Sequence, residues 1–396
     1  MSLSSHVRHV ALIYDATRAY DLSVMAGVAA YVRQGAPWSV YIEESSLKDQ
    51  RLPRLASWRG DGIVANFDDP RVVRAVLASG LPTVAFGSGY GWYAPSLRIP
   101  YFFTNNKKIA HLAADHLLDR GFRNFAYYGG TRTRTNGWSV EREHAFSGRV
   151  KKKGCRCWIY RDPRRAGRDW ETLERDLGAW LLSLPKPAGL MADNDQRARL
   201  VLEVCRTASL QVPDEMAVIG VDNDELLCQL STPLLSSVEQ GARRIGHEAA
   251  ALLDRVMSGR KPRRMSLVVD PSGLVARGST DILAIEDRTV AEAMRYIREH
   301  ACEGIQAQDV ADALDVSRSG LDAHFKSALG RTIRTAIRAL QLERTRQLVN
   351  DPTLSLKEIA SKMGFKSVQF MTAAFGKAFG RPPAQYRRTA PGPRDF

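Results

Sequence analysis

The chain has 396 residues, of which 44% are hydrophobic and 25% charged, the balance of an ordinary folded soluble protein. Its formal net charge of +14 favours a polyanionic partner such as nucleic acid. No apolar run reaches the roughly 20 residues of a membrane span, no signal-peptide pattern opens the chain, and the five cysteines form no C-x-x-C pair. We therefore expect a cytoplasmic protein with free thiols and no membrane segment.

Up to about residue 280, short apolar runs alternate with helical patterns. Strands are predicted at 10–14, 63–65, 83–86, 125–128, 189–192, 216–221 and 266–269. Helices are predicted at 22–32, 72–78, 107–120, 141–153, 171–183 and 197–208. This alternation predicts an α/β domain of two lobes, each with a parallel sheet and helices on both faces.

Such a region suits an enzyme, a dinucleotide-binding domain or a ligand-binding sensor. Gly87, Gly89 and Gly91 are spaced too closely for G-x-G-x-x-G and indicate a loop. No G-x-S-x-G, H-E-x-x-H or Walker sequence occurs, and His111 and His116 are five positions apart, off one helical face. We therefore expect no catalytic residue, no metal site and no cofactor.

Polar residues follow several of the predicted strands. They are Tyr20 and Asp21, Asp68, Asn194 and Asp195, and Asp222. Ligands of open α/β sheets bind outside the carboxyl ends of the strands, and converging carboxylates and amides suit the many hydroxyls of a sugar. An aromatic side chain such as Trp138 can cover the apolar face of a sugar ring. Helix capping is the alternative role for each Asp and Asn, and it stays open here.

From residue 289 onward the strand patterns disappear, and a weak repeat is offset by about 50 positions. Leu321 corresponds to Met371 and Phe325 to Phe375, each pair spaced to point inward from a helix. Short helices at 309–314 and 356–363 precede second helices, for which Ser317 and Ser367 are suitable N-caps. The pattern predicts an all-α domain with two helix-turn-helix units.

The outward faces of the two second helices carry the candidate DNA-binding residues. They are Arg318, Ser319 and Asp322 on one helix, and Val368, Gln369 and Thr372 on the other. Gln pairs with adenine, Arg with guanine and Asp with cytosine, while Val and Thr methyls pack on thymine. Between 288 and 396 there are 18 Lys and Arg against 11 Asp and Glu, so this quarter of the chain supplies about half of the positive excess. A helical bundle whose repeat serves packing alone is the alternative.

The stretch 305–388 resembles the DNA-binding domain of the AraC/XylS family. The match is strongest from Leu356-Lys-Glu-Ile-Ala to Gly364-Phe365, and again from Phe379-Gly-Arg-Pro-Pro to Tyr386-Arg387. The resemblance implies that the two units lie in successive major grooves and are joined by a helix at 332–348. The family often has Arg where Ala323 and Ala373 stand here. We assign 282–288 to a linker, 289–389 to this domain and 390–396 to a tail.

The region before the linker resembles the sugar-binding core that LacI/GalR repressors share with periplasmic binding proteins. The matching pieces include Arg142-x-x-x-Phe146, Val218-Ile-Gly-Val-Asp222 and Leu235-Ser-Ser-Val-x-Gln240. The resemblance implies that Arg142, Asn194 and Asp222 touch an effector in a cleft. It places 1–281 in this domain, with lobe 1 at about 8–121 and 239–262 and lobe 2 at about 122–238 and 263–281.

As a whole, the chain resembles a family of xylose-responsive regulators that join these two domain types, through stretches such as Ala19-Tyr20-Asp21 and His300-Ala301-Cys302. That resemblance implies an activator of pentose-utilisation genes. D-xylose or a related pentose would be the effector, and the partners would be double-stranded promoter DNA, a second copy of the chain and RNA polymerase. The alternative is a sugar-binding enzyme or carrier with a C-terminal helical docking module, which would lack the steep salt dependence of DNA binding.

Overall fold

The computed structural model describes residues 7–42, 55, 58–87, 98–131, 136–162, 170–262, 265–282, 287–349 and 354–389. The chain forms two compact units, Met1–Leu283 and Ala284–Phe396, and the division falls within the predicted linker. Gly89, Gly91, the middle of that linker and the predicted tail lie outside the described residues. Nowhere in the described residues does a helix combine the length and apolar character needed to cross a bilayer.

The first unit contains two six-stranded sheets. In spatial order the first sheet consists of Ser266–Val269 (β11), Tyr101–Thr104 (β5), Thr83–Gly87 (β4), Gly62–Asn66 (β3), Arg8–Ile13 (β1) and Trp38–Ile42 (β2). All neighbouring strands are parallel. The helices packed with this sheet are Ala19–Val32 (α1), Pro70–Ser79 (α2) and Ala242–Met257 (α8). Sheet and helices together are called the first lobe below.

The second sheet has a parallel core and one antiparallel edge strand. Its spatial order is Gly273–Val275 (β12), Ser236–Glu239 (β10), Met216–Val221 (β9), Ala188–Ala192 (β8), Asn124–Gly130 (β6) and Arg156–Asp162 (β7). Only β12 runs antiparallel. The helices of this second lobe are Asn106–Asp119 (α3), Gly137–Lys151 (α4), Trp170–Ser183 (α5), Asp195–Thr207 (α6) and Glu225–Leu230 (α7).

The lobes differ from the predicted boundaries in two places. Helix α3 packs against α4 and against strands of the second sheet, so the first segment of lobe 1 ends after β5 and not near residue 121. Strand β11 pairs with β5, so 266–269 belongs to the first lobe, whereas the prediction placed 263–281 in the second. The physical reason is that the chain crosses between lobes three times, just after β5, β10 and β11.

Helices α1 and α8 lie unusually close together because glycine stands at their contact. A Cβ atom on Gly27 would lie 2.0 Å from the Arg243 carbonyl oxygen, and one on Gly246 would lie 1.8 Å from the Val24 carbonyl oxygen. Both distances are far below van der Waals contact, so only glycine permits this backbone approach. The contact holds α1, whose N-terminal end reaches the candidate site, against the sheet.

The second unit is entirely helical in its described part. Its helices are Arg288–His300 (α9), Ala307–Ala313 (α10), Arg318–Leu329 (α11), Ile333–Val349 (α12), Leu356–Lys362 (α13), Val368–Phe379 (α14) and Pro383–Thr389 (α15). The two second helices of the predicted helix-turn-helix units are α11 and α14, and the connecting helix predicted at 332–348 is α12. This unit is called the reader below.

The reader confirms the repeat that the sequence predicts. Leu321 and Phe325 are buried in one hydrophobic cluster, and Met371 and Phe375 in a second. The Ser317 hydroxyl accepts the Gly320 backbone N–H at 3.2 Å, and the Ser367 hydroxyl accepts the Phe370 N–H at 3.1 Å. Each second helix therefore begins at a serine N-cap and packs through an i, i+4 apolar pair.

Candidate functional site

A cavity of about 270 Å³ lies where the carboxyl ends of the two sheets face each other. The first lobe lines it with residues that follow or end β1, β4 and β5, namely Thr17, Arg18, Ala19, Tyr20, Gly87 and Thr104. The opposite wall consists of Trp138, Arg142, Asn194, Gln196, Asp222, Leu227 and Gln240. Pockets for drug-sized ligands are about 300–1,000 Å³, so this cavity suits a smaller molecule such as a monosaccharide.

Arg142 extends from α4 into the cavity wall and is 3% exposed. Its Nε donates to Asn106 Oδ1 at 2.9 Å, its Nη1 to the Asp193 carbonyl at 2.6 Å and its Nη2 to Gln240 Oε1 at 2.6 Å. The guanidinium also lies 4.7 Å from the centre of the Trp138 ring. Five N–H groups are available and three are used within the protein, so two remain to donate to a ligand.

The same hydrogen bonds join the crossings between the lobes. Asn106 begins α3 directly after the first crossing, and Gln240 lies in the second. At the third crossing, Asp270 accepts Asn105 Nδ2 at 2.9 Å and the Lys108 ammonium at 2.5 Å. Arg142 therefore lines the cavity and is also hydrogen-bonded to the first and second crossings. These are segments that would have to bend if the lobes moved.

Asp222 adopts a strained backbone conformation at the end of β9, with a φ of 121°. Backbone bonds hold it, because Asp222 N–H donates to the Val238 carbonyl at 3.1 Å and Asn223 N–H to Ser237 Oγ at 3.0 Å. Its Oδ1 accepts Gln240 Nε2. Burial raises the pKa of the Asp222 carboxyl to about 6, and the positive charge of Arg142 opposes the shift. Strain of this kind is typical of residues whose side-chain direction matters for function.

On the first lobe, one arginine is held by two buried carboxylates. Arg18 Nη1 lies 2.8 Å from Asp68 Oδ2, and Arg18 Nε lies 3.9 Å from Asp21 Oδ1. Asp21 is fully buried and its Oδ2 accepts the Asp15 N–H and the Asn66 amide, at 2.8 and 2.7 Å. Burial raises the pKa of the Asp21 carboxyl to about 6, against the positive charge of Arg18. These carboxylates fix Arg18 in the cavity wall.

Two residues that follow β8 were predicted to contact the ligand, and only one of them lines the cavity. Asn194 lines the cavity and also caps α6, since its Oδ1 accepts Arg197 N–H at 3.0 Å. Asp195 lies outside the lining set and is 1% exposed. Its oxygens accept Ser237 Oγ at 2.6 Å and Asp224 N–H at 2.8 Å, which joins α6 to the strand ends next to it. Capping and lining thus coincide in Asn194, whereas Asp195 is bonded within the lobe.

The structure brings most of the predicted ligand residues together. Among the eight, the cavity is lined by Tyr20, Trp138, Arg142, Asn194 and Asp222. Asp21 and Asp68 contact it through Arg18, and Asp195 is the residue bonded elsewhere. The sequence reasoning missed Thr17, Arg18, Thr104, Gln196, Leu227 and Gln240. A signal for Gln240 was present, because it ends the Leu235-Ser-Ser-Val-x-Gln240 stretch quoted for the sugar-binding resemblance.

The candidate DNA-binding residues lie at the start of α11 and α14. Arg318, Ser319 and Gln369 are exposed, while Asp322, Val368 and Thr372 are half-buried. Arg318 Nε lies 3.9 Å from Asp322 Oδ2, a long contact between partly exposed groups that holds neither side chain firmly. Val368 packs partly against the second cluster of the reader, so less of its side chain is free.

Two further features of the second helix-turn-helix unit were not predicted. Phe370 is 43% exposed on the first turn of α14, and the Arg338 guanidinium of α12 lies 4.5 Å from its ring centre and 4.9 Å from that of Phe365. Arg387, within the matched Tyr386-Arg387 pair, donates to the Val349 and Leu354 carbonyls at 2.8 Å each. Arg387 thus fastens α15 to the end of α12.

Comparisons with known proteins match both units of the chain. The XylR N-terminal domain matches residues 9–107, a periplasmic binding protein-like domain matches 114–280 and a helix-turn-helix domain matches 310–389. The xylose operon regulatory protein of Escherichia coli is 37% identical over 382 residues, covering 96% of this chain and 97% of that protein. The protein of the same name from Haemophilus influenzae is 34% identical, with 96% and 97% covered.

Solved structures agree with these relatives. The structure described as the xylose-binding transcription activator xylR superposes with a TM-score of 0.77 at 36% identity, covering 96% of this chain and 98% of that one. A cellobiose complex of the transcriptional regulator CelR shares the fold of the first unit, with a TM-score of 0.55 at 22% identity over 68% of this chain and 84% of that one. The two domain types predicted from the sequence are therefore present in one chain and in the predicted order.

Proposed function

The chain belongs to the family of xylose operon regulatory proteins, and on that premise we propose that D-xylose or a closely related pentose is its effector and that it activates pentose-utilisation genes. It is a sugar-responsive, DNA-binding transcription regulator. The relatives are transcription regulators, so the alternative of a sugar-binding enzyme or carrier is set aside. The observation that carries the proposal is the cavity around Arg142 and Asp222.

The charges of the cavity favour a neutral polyol over a sugar acid or a sugar phosphate. Two arginines line it, but Arg18 is paired with Asp68 and Arg142 lies in the field of Asp222. An anionic ligand would have to share cations that carboxylates already neutralise. A neutral sugar instead gains from groups that accept and donate hydrogen bonds side by side, and the Trp138 ring covers an apolar face.

The effect of the sugar follows from the position of its contacts. Hydroxyls bound to Tyr20 or Arg18 on one side and to Arg142 or Asp222 on the other would draw the two lobes together. Arg142 is also bonded to Asn106 and Gln240 at the crossings, so occupancy of the cavity and bending of the crossings are linked. The ligand changes the equilibrium only through this difference in contacts between the two arrangements.

The proposal includes a homodimer that acts on RNA polymerase at promoter DNA. Leu226 and Leu230 are 67% and 65% exposed and lie four residues apart on α7, and Leu234, in the segment after the helix, is 43% exposed. Neighbouring exposed leucines favour a protein contact over solvent, and a second copy of the chain fits a regulator with paired readers. A promoter-binding regulator works where the DNA is, so a cytoplasmic location is part of the proposal.

Calorimetry of the full chain tests the effector directly. D-xylose should bind with a stoichiometry of one per chain, and D-xylonate, which has the same five carbons with C1 oxidised to a carboxylate, should bind at least about tenfold more weakly. Equal affinity for both ligands, or binding of neither, would contradict the proposed sugar site.

A further inference from the structure

Leu227 is an apolar residue in a cavity wall that otherwise presents mainly polar groups. It lies on α7, five residues after Asp222, and it is half-buried at the cavity. Among the described residues of the wall, its only aliphatic companion is Ala19, which contributes a single methyl group from the opposite lobe.

The direction of Leu227 is fixed by its neighbours on the short helix. Leu226 is 67% exposed to solvent, and Cys228 is fully buried with its Sγ 3.7 Å from Asp195 Oδ2. The Leu227 N–H donates to Asp224 Oδ1 at 3.2 Å, and its carbonyl accepts Ser231 Oγ at 2.7 Å. Successive residues of a helix are about 100° apart, so these contacts leave the side chain of Leu227 facing the cavity between solvent and core.

An aldopentose in its pyranose form has one edge without a hydroxyl, the C5 methylene. Its hydroxyls find donors and acceptors in Arg18, Arg142, Asn194, Asp222 and Gln240, and one of its faces can lie on Trp138. The methylene edge needs no hydrogen bond and gains from apolar contact. A hexopyranose carries a hydroxymethyl group at the same carbon, and its hydroxyl would be buried without a partner against an aliphatic wall.

We propose that Leu227 packs against the C5 methylene edge of the effector and is the residue that makes the site select pentoses over hexoses. The inference rests on the proposed function, because it requires a pentose in the cavity and states which edge of that sugar faces Leu227. An apolar wall rejects an added hydroxyl by up to about 100-fold, so the selectivity it gives is moderate.

Three sugars that differ only at C5 test the proposal by calorimetry on the full chain. D-xylose carries hydrogen there, 6-deoxy-D-glucose a methyl group and D-glucose a hydroxymethyl group. The wild-type protein should bind D-xylose about 10- to 100-fold more tightly than D-glucose. Leu227→Asn, which keeps the side-chain size and supplies a hydrogen-bonding partner, should reduce that ratio at least about tenfold. Leu227→Ala, which enlarges the cavity without adding a polar group, should increase the affinity for 6-deoxy-D-glucose more than the affinity for D-glucose.

The matched control is Leu182→Asn, the same change at a leucine of α5 that is 56% exposed and does not line the cavity, and it should leave the xylose-to-glucose ratio within about twofold of wild type. If the wild-type protein binds none of the three sugars, the proposed function fails. If it binds D-xylose but does not discriminate against D-glucose, the role of Leu227 is excluded. It is excluded equally if the ratio in both Leu227 variants stays within about twofold of wild type.

Discussion

Arg142 donates through Nη2 to Gln240 Oε1 at 2.6 Å, and this bond joins a helix of the second lobe to a segment that crosses between the lobes. Gln240 in turn donates to Asp222, so the cationic and anionic residues of the cavity are connected through one amide. Two residues that line the cavity and a segment that crosses between the lobes thus belong to a single hydrogen-bonded network.

The first prediction concerns Arg142→Ala. We expect sugar binding to be abolished, because charge-assisted donors to a buried ligand are removed. Unlike a mutation at a purely ligand-facing residue, it also leaves three buried acceptors without their donor, so the free energy of unfolding should fall by roughly 1–3 kcal/mol. Calorimetry with D-xylose and denaturant unfolding measure the two effects.

Arg149→Ala is the control for that change. Arg149 lies on the same helix and pairs with Asp115 at the surface, at 2.7 Å. Exposed pairs contribute about 0–1 kcal/mol, so both sugar affinity and unfolding should remain close to wild type. Near-normal D-xylose affinity in Arg142→Ala would contradict the assigned site.

The second prediction concerns pH. The Asp222 carboxyl has its pKa raised to about 6 by burial, against the influence of Arg142. Above that pH the ionised group accepts a sugar hydroxyl, and below it the protonated group is a poorer acceptor. We therefore expect D-xylose affinity to be flat above pH 7 and to fall by up to about tenfold per unit below pH 6.

Asp222→Asn separates this carboxyl from Asp21, whose pKa burial also raises to about 6. The variant should bind weakly and without the drop below pH 6. A drop of the same size in the variant would assign the effect to another buried carboxyl, either Asp21 or Asp195, whose pKa burial also raises. In the absence of sugar, folding stability changes with pH in the opposite direction to sugar affinity. The reason is that each pKa in the folded protein exceeds its ordinary value of 3.8. Both carboxyls therefore add to folding stability as the pH falls from about 6 to 4.

The third prediction concerns the serine caps of the two second helices, α11 and α14. Ser317→Ala and Ser367→Ala each remove the acceptor for a backbone N–H of the first turn, so each should lower the free energy of unfolding of the reader by about 1 kcal/mol. Ser327→Ala, an exposed position within α11, is the control and should change it by less than about 0.5 kcal/mol. Equal losses at all three serines, in thermal or denaturant unfolding, would show that the caps contribute nothing specific.

The fourth prediction concerns base recognition by Gln369. Gln369→Ala should cost roughly 1–3 kcal/mol of DNA binding and relax preference at one base position. Arg318→Ala should act at a position about one helical turn away, roughly 10 base pairs, if both helices enter one face of the duplex. If Arg318 contacts phosphate instead, binding weakens evenly across sequences and the salt slope drops by about one. Site selection with the three proteins distinguishes these results, and unchanged affinity and preference in both variants would contradict the assignment.

The sequence revealed those parts of the fold whose signal is local. Fully buried strands such as β9 appear as continuous apolar runs, and the capped helices of the reader repeat at a fixed offset. The strands β2, β5, β7, β10 and β12 were missed because they are short, exposed at an edge or mixed in polarity. In particular, β7 lies within a stretch rich in Lys and Arg, which obscures its short apolar run.

The residues of the candidate site were likewise predicted where the sequence carries a local signal and missed where it does not. Asp222 follows a recognisable strand and was found, whereas Arg18 and Leu227 carry no local signal, since an arginine before a helix and a leucine within one are ordinary. Their position in the cavity wall arises from two lobes meeting, and the pairing of β11 with β5 that sets the third crossing is invisible in sequence spacing. The pairing of strands that are far apart in the sequence decides which residues line the same cavity.

The most direct test of the account is the affinity of the full chain for promoter DNA, measured with and without saturating D-xylose at several salt concentrations. We expect log affinity to fall linearly and steeply with log salt, and D-xylose to change the affinity at a given salt by about 5- to 150-fold. DNA affinity that is absent even at low salt, or a DNA affinity that D-xylose leaves unchanged throughout, would contradict a regulator that couples this cavity to its reader.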